Sequence, residues 1–301
     1  MGASVRQKLL TYSRARGDDH TLVLTRYAIE RLLYRLSRSP HRDRFVLKGA
    51  ALYAVWQDES DAVSYRPTRD LDFWSQGAPD VKTVAGILRE VVATPVENDG
   101  LTFDGDSIKG DARRVNEDYQ GCSLEVSATL DGVRIRVLMD FGFGDAITPP
   151  ARVVDYPTIL PNSPAPHLAI YPRETVVAEK FEAMVDLDMT NSRLKDFYDI
   201  WMLSQSFDFD GPTLFEAISR TFERRKTVLP DEVPSALTEQ FSRDAAKMTQ
   251  WKSFGKRLRA RELPPLTEIA EQLEKFLWPV VQGVHRGEFE KQWTPQNGWQ
   301  S

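Results

Sequence analysis

The feature that most constrains this fold is an ordered set of four pieces. A short apolar run, Phe45-Val46-Leu47, enters a Lys48-Gly49 turn. A helical apolar run, Ala50 to Trp56, follows, and then the segment Asp70-Leu71-Asp72-Phe73-Trp74. Side chains alternate along an extended chain, so as a strand the last piece puts Asp70 and Asp72 on one face and Leu71 and Phe73 on the other. Two carboxylates this close stay ionised together only with a cation between them or water around them. Mg²⁺ takes oxygen ligands of this kind, with substrate phosphates completing its shell. A solvated strand edge is the bland alternative. The glycine turn lets the backbone approach a phosphate closely and leaves helix N–H groups to hold it. Each piece alone is weak, and the order gives them weight.

That order resembles the front half of a polymerase-β-like nucleotidyltransferase core. Phe45-Val46-Leu47-Lys48-Gly49-Ala50, followed by Arg66-Pro67-Thr68-Arg69-Asp70-Leu71-Asp72-Phe73, resembles the AbiEii-type nucleotidyltransferase toxins, which are related to the MenT-like tRNA nucleotidyltransferase toxins. So do the later segments Ala178-Glu179-Lys180-Phe181-Glu182-Ala183-Met184 and Arg193-Leu194-Lys195-Asp196-Phe197-Tyr198-Asp199-Ile200. The resemblance spans roughly residues 40 to 205. It implies an α+β fold: a mixed sheet with flanking helices, followed by an α-helical C-terminal region. It carries a functional lysine onto Lys180 and a functional aspartate onto Asp196, with Asp199 and Arg193 in support. Many nucleotidyltransferases have Gly-Ser where this chain has Gly49-Ala50. Ala50 has no hydroxyl, so backbone N–H groups or Lys48 are left to hold phosphate. Arg66 and Arg69 could meet phosphates too, or pair with the aspartates to fix the loop.

In this fold a third carboxylate comes from a strand beside the Asp-x-Asp strand. In Val133-Arg134-Ile135-Arg136-Val137-Leu138-Met139-Asp140, alternation separates Val133, Ile135, Val137 and Met139 from Arg134, Arg136, Leu138 and Asp140. Asp140 is the candidate. It completes the three-carboxylate set that two Mg²⁺ ions (or Mn²⁺) need to clamp an in-line phosphoryl displacement. Glu125 competes, and Asp131 in the hairpin turn is a weaker competitor. Asp140 as a mere strand end stays open.

In the helix expected over Glu174–Leu187, Lys180 borders the apolar stripe of Val177, Phe181 and Met184. A partly buried lysine keeps its charge only with an anionic partner. A triphosphate is one such partner. Asp196 or Asp199 of the following helix, which share a face at i, i+3, is the other.

The chain has 301 residues, 41% of them hydrophobic, enough for a proper core. Its one cysteine, Cys122, allows no internal disulfide and reads as a small buried side chain, and four scattered histidines make no zinc motif. No apolar run reaches the roughly 18 residues of a membrane span. The N-terminus does not read as a signal peptide, so a cytoplasmic protein is expected. Net charge is −5, which does not draw the whole chain to nucleic acid. Residues 220–262, however, hold eleven Lys/Arg against six Asp/Glu. The densest part carries Lys252, Lys256, Arg257, Arg259 and Arg261, and reads either as a solvated helix face or as a phosphate-binding surface.

The expected organisation is packing helices over 1–40, a nucleotidyltransferase core over 41–165, a helical domain over 166–285 and a frayed polar tail over 286–301. Prolines 161, 164, 166 and 172 mark a stiff linker; a helix is expected near Val81–Val92 and strands near Leu101–Ile108, Cys122–Leu130 and Val133–Phe141, with turns or a mobile loop in the Gly/Asp/Asn-rich stretch Asp99–Gly121. A further strand is expected over Arg152–Leu160. The functional expectation is a toxin that transfers NMP from an NTP to an acceptor hydroxyl. The resemblance makes that acceptor the 3′ end of a tRNA and pairs the toxin with an antitoxin encoded beside it. A small-molecule nucleotidyltransferase of the antibiotic-modifying type, and a non-catalytic nucleotide- or RNA-binding module, are the alternatives.

Overall fold

The computed structural model describes residues 1–60, 63, 68–78, 80–114, 120–258 and 263–301. The chain divides into two compact units. Met1–Asp58, Arg66–Gly144 and Arg152–Ile170 form the first, and Glu59–Tyr65, Asp145–Ala151 and Tyr171–Ser301 the second.

The first unit holds α1 (Gly2–Arg16), α2 (His20–Arg38), β1 (Phe45–Lys48), α3 (Leu52–Glu59), β2 (Asp70–Ser75) and α4 (Val81–Ala93). β3 (Leu101–Arg114), β4 (Gln120–Leu130), β5 (Val133–Phe143), β6 (Arg152–Asp155) and β7 (His167–Ile170) follow. The seven strands form one mixed sheet in the order β3-β4-β5-β2-β1-β7-β6. β2 runs parallel to β5 and β1 parallel to β7, while the other pairs are antiparallel. Period-two alternation gives the sheet an apolar face. Phe45, Phe73, Met139 and Phe141 meet Leu32, Leu33 and Leu36 of α2 and Val84, Ile87, Leu88 and Val91 of α4. Both helices start on an aspartate cap, with Asp19 accepting from Leu22 N and Asp80 from Thr83 N. With that face covered, the alternate residues of β2 and β5 are left for the opposite face.

Three local expectations need correction. The strand expected near Leu101–Ile108 is present but runs on to Arg114, where turns or a loop were expected: β3 pairs with β4 from Leu101↔Leu130 to Arg114↔Gln120. Its turn-forming residues are absorbed in a register shift between Asp104 and Lys109. There Asp104 Oδ1 accepts from the N–H groups of Asp106 and Ser107, as in a turn, and pairing resumes beyond it. The strand expected over Arg152–Leu160 stops at Asp155. Within the proline-marked stretch, His167–Ile170 is a strand of this sheet.

The second unit holds α5 (Arg173–Leu187), α6 (Leu194–Ser206), β8 (Phe209–Asp210), α7 (Gly211–Arg225), α8 (Glu239–Ser242), α9 (Ala245–Leu258), α10 (Leu266–Arg286), β9 (Gln292–Thr294) and β10 (Gly298–Gln300). The polar tail does not fray. β9 and β10 join β8 in a small sheet of order β10-β9-β8. Two tryptophans outweigh the polar composition. Trp293 is buried and donates to Ser204 O at 2.8 Å. Trp299 stacks on Phe276 with ring centroids 5.8 Å apart and donates to the Phe276 carbonyl. Large aromatic burial with a satisfied indole N–H anchors a segment that composition alone marks as loose. Among the described residues, no helix is long and apolar enough to cross a membrane.

Candidate active site

Strand register assembles the candidate site in the first unit. Lys48 of β1 pairs with Asp72 of β2, Asp72 with Asp140 of β5, and Asp140 with Ser123 of β4. Directly paired residues point to the same face, so these four form a row across four strands, with neighbouring strands about 4.8 Å apart. Asp70 lies on the same face, two residues back from Asp72, and is exposed, whereas Asp72 and Asp140 are half-buried. Ser123 Oγ donates a short hydrogen bond to Asp140 Oδ1.

The same register separates the candidates for a third carboxylate. Asp140 is the direct neighbour of Asp72. Glu125 lies in the row of Asp70, but Leu138 of β5 stands between them. Its carboxylate lies 3.2 Å from Lys109 Nζ. Asp131 sits in the turn at the other end of the β4–β5 hairpin, accepting from Arg6.

The Lys48-Gly49 turn presses against this row. Gly49 has φ +70°, and a β-carbon built on it would come within 2.0 Å of Asp72 Oδ2. Only a glycine lets the backbone pass the carboxylate at that distance. Ala50 is buried, and Lys48 is half-buried. Arg69 is exposed beside Asp70, and Thr68 Oγ1 accepts from Asp70 N. Arg66 lies outside the described residues.

The donor chemistry suits a hard cation: three carboxylates from two adjacent strands, with no sulfur or imidazole among them. Among the described residues, no three such side chains are already gathered as a metal cage. On the opposite face, Cys122 pairs with Phe141. Burial, and then the charge of Asp140, pushes its thiol up to about 11. It is a neutral core side chain.

In the second unit, Lys180 of α5 donates to Asp196 Oδ1 at 2.5 Å and to Asp199 Oδ2 at 2.8 Å, both on α6. The helix-to-helix ion pair is therefore formed, and doubly so. The aspartates are almost fully buried, while the Lys180 side chain keeps 15% of its exposure. Arg193 Nε approaches Asp196 Oδ2 at 2.7 Å. Two residues absent from the sequence reading support this group. Asn191 Oδ1 accepts from Arg193 N at the start of α6, and Lys247 of α9 donates to the Asn191 carbonyl at 2.6 Å. A lysine in the first turn of a polar helix gives no hint in sequence that it is buried.

Of the basic segment, Lys252 and Lys256 are exposed one helical turn apart on α9. The side chain of Arg257, and Arg259 and Arg261 entirely, lie outside the described residues.

Two solved structures resemble the chain. A candidate nucleotidyltransferase from H. pylori is 16% identical, with a TM-score of 0.48, covering 86% of this chain and 94% of that one. JHP933 from Helicobacter pylori is 14% identical, with a TM-score of 0.41, covering 85% and 90%. No curated protein matches the chain significantly. The model of the family described as nucleotidyl transferase AbiEii toxin, type IV TA system, matches residues 31–276, most of both units. The chain belongs to the AbiEii family of nucleotidyl transferase toxins.

Proposed function

We propose that this toxin is an Mg²⁺-dependent nucleotidyltransferase that adds NMP to the 3′ end of an RNA, in the first place a tRNA. The observation that carries the reading is the direct pairing of Asp72 with Asp140, beside Asp70 and against the Gly49 turn. Asp70, Asp72 and Asp140 would hold the metal. When bound, Mg²⁺ supplies charge neutralisation at the triphosphate and lowers the pKa of an acceptor hydroxyl. The Lys48-Gly49 turn offers a positive charge and a close backbone approach to phosphate. In the second unit, Lys180, held by Asp196 and Asp199, is the phosphate-binding lysine that the family resemblance implies. Arg193 supports Asp196, and Arg66 and Arg69 remain candidates for phosphate contact. Catalysis then rests on positioning and preorganised charge. The acceptor hydroxyl attacks the α-phosphorus, its proton passes to solvent or a carboxylate, and pyrophosphate leaves.

The test is direct. The protein is incubated with total RNA and each labelled NTP separately, and label is sought on discrete RNA bands. Asp72→Asn and Asp140→Asn should each lose labelling by several orders of magnitude, because metal charge stabilisation is worth several kcal/mol and each ~1.4 kcal/mol is tenfold. Glu125→Gln should label normally. Labelling that survives both aspartate changes overturns the assignment. Label on a small hydroxylated acceptor and not on RNA would make this a small-molecule transferase.

A further inference from the structure

We infer that Arg134 and Arg136 form a phosphate clamp for the single-stranded 3′ end of the RNA acceptor, on the same strand and face as Asp140. The inference rests on the proposed transfer to RNA and names the surface that would lead the acceptor to the carboxylate row. β5 alternates strictly: Ile135, Val137 and Met139 are buried, while Arg134, Arg136 and Leu138 are exposed. Arg134, Arg136, Leu138 and Asp140 therefore form a line on the face away from α2 and α4. Successive members of that line are two residues apart, about 6.8 Å along the strand. Both arginines lean along it towards Asp140. The cross-strand partner of Arg134 is Thr129, yet its Nε and Nη2 donate to Ser127 Oγ at 3.2 and 3.0 Å. Ser127 is the partner of Arg136. Arg136 Nη1 in turn lies 3.9 Å from Glu125, the partner of Leu138. The two guanidinium groups thus stand at successive steps beyond the carboxylate row.

Their charge is not cancelled locally. A serine hydroxyl is neutral, so it aims Arg134 without offsetting it, and among the described residues Arg134 has no carboxylate partner. Glu125 is shared: it lies closer to Lys109, at 3.2 Å, than to Arg136. Of the other acids on this face, Asp104 and Asp111 stand on the outer strand β3, and Asp104 accepts from its own loop. Asp131, in the hairpin turn, accepts from Arg6. A chain of net charge −5 that gathers arginines beside its candidate site offers them to an anion. The turn proposed for the triphosphate, Lys48-Gly49, lies across Asp72 from Asp140, so the arginines are on the acceptor's side of the pair. Guanidinium forks suit phosphate oxygens, and phosphate contacts position a nucleic acid without reading its sequence.

The experiment follows binding of a deacylated tRNA pool, fluorescein-labelled at the 5′ end, to the intact protein by anisotropy over a salt series. Melting temperatures check that each variant is folded. Arg134→Ala with Arg136→Ala should weaken binding and flatten the logarithmic salt slope by about one to two units. The same pair should raise the KM for tRNA in transfer and leave the KM for NTP unchanged. Arg134→Lys with Arg136→Lys keeps both charges and should keep most of the slope. Lys8→Ala with Arg14→Ala removes two exposed charges from α1 and should alter neither quantity. A pool stripped of its single-stranded 3′ end should bind wild type and the Ala pair alike. If wild type labels RNA and the Ala pair binds the intact pool with wild-type affinity and slope, the clamp is overturned and the transferase reading stands. An equal loss in the α1 variant would reduce the effect to net charge and overturn the clamp as well. If wild type neither binds the pool nor labels it, the RNA reading falls and the inference with it.

Discussion

Gly49 and Asp72 are packed so closely that the missing β-carbon of one would lie 2.0 Å from a carboxylate oxygen of the other. The turn after β1 therefore fixes the rotamer of Asp72 as well as the path of the backbone. Gly49→Ala should lose activity because the new methyl displaces Asp72. The left-handed φ of +70° adds a backbone penalty of about 1–2 kcal/mol. The comparison to make is transfer rate against melting temperature for Gly49→Ala and for Gly77→Ala, which has φ +95° and nothing within 4 Å of its added carbon. Gly77→Ala should cost stability alone. Equal activity in the two variants would refute the Gly49–Asp72 argument.

Lys180 carries both a structural and a proposed catalytic burden. Lys180→Ala leaves Asp196 and Asp199 buried and facing each other, a loss of roughly 3–5 kcal/mol. A lower melting temperature is therefore expected whatever Lys180 does in catalysis. The triple variant Lys180→Met, Asp196→Asn, Asp199→Asn removes all three charges and should recover most of the stability. If it also recovers transfer, Lys180 has no role with the triphosphate.

Lys252 and Lys256 present two charges on one face of α9. If they meet the RNA backbone, replacing both with Ala should weaken RNA binding and flatten its logarithmic salt dependence by about one to two units. NTP affinity should hardly move. An unchanged salt slope identifies the pair as a solvated face.

Cys122 is held as a neutral thiol, with its pKa raised by burial and then by Asp140 to about 11. The sign follows directly. The folded state favours the protonated thiol, so this stabilisation is complete below the ordinary thiol pKa and is lost as pH climbs through about 11. Iodoacetamide should label the native protein only slowly at pH 8 and the denatured protein quickly. Rapid native labelling would contradict the burial of this side chain.

The period-two pattern of Asp70-Leu71-Asp72-Phe73 made the shared face of the two aspartates legible, because alternation along a strand is a local property. The spacing of Asp196 and Asp199 did the same for α6, where one helical turn aligns them towards Lys180. Register was not legible. That Asp140 adjoins Asp72 while Glu125 is set off by Leu138 depends on the parallel β2–β5 pairing and the β4–β5 hairpin together. Ser123 was missed for the same reason. The part of β3 beyond Ile108 and the tail were misread because turn-forming composition was weighed without the tertiary partners that override it: the β4 ladder in one case, and Ser204 and Phe276 in the other.

The pairing of Asp72 with Asp140 also orders events in time. The two are 68 positions apart, and β5 reaches β2 only after α4, β3 and β4 have been made. Such distant contacts form late, because the closure of a long chain segment must come first. A nascent chain that has emerged through β2 already has Lys48 and Gly49 to set beside Asp72, but it lacks Asp140. The pairing of Asp72 with Asp140 exists only once residue 140 has left the ribosome and β5 has zipped into place, so a half-made copy lacks the row proposed for transfer.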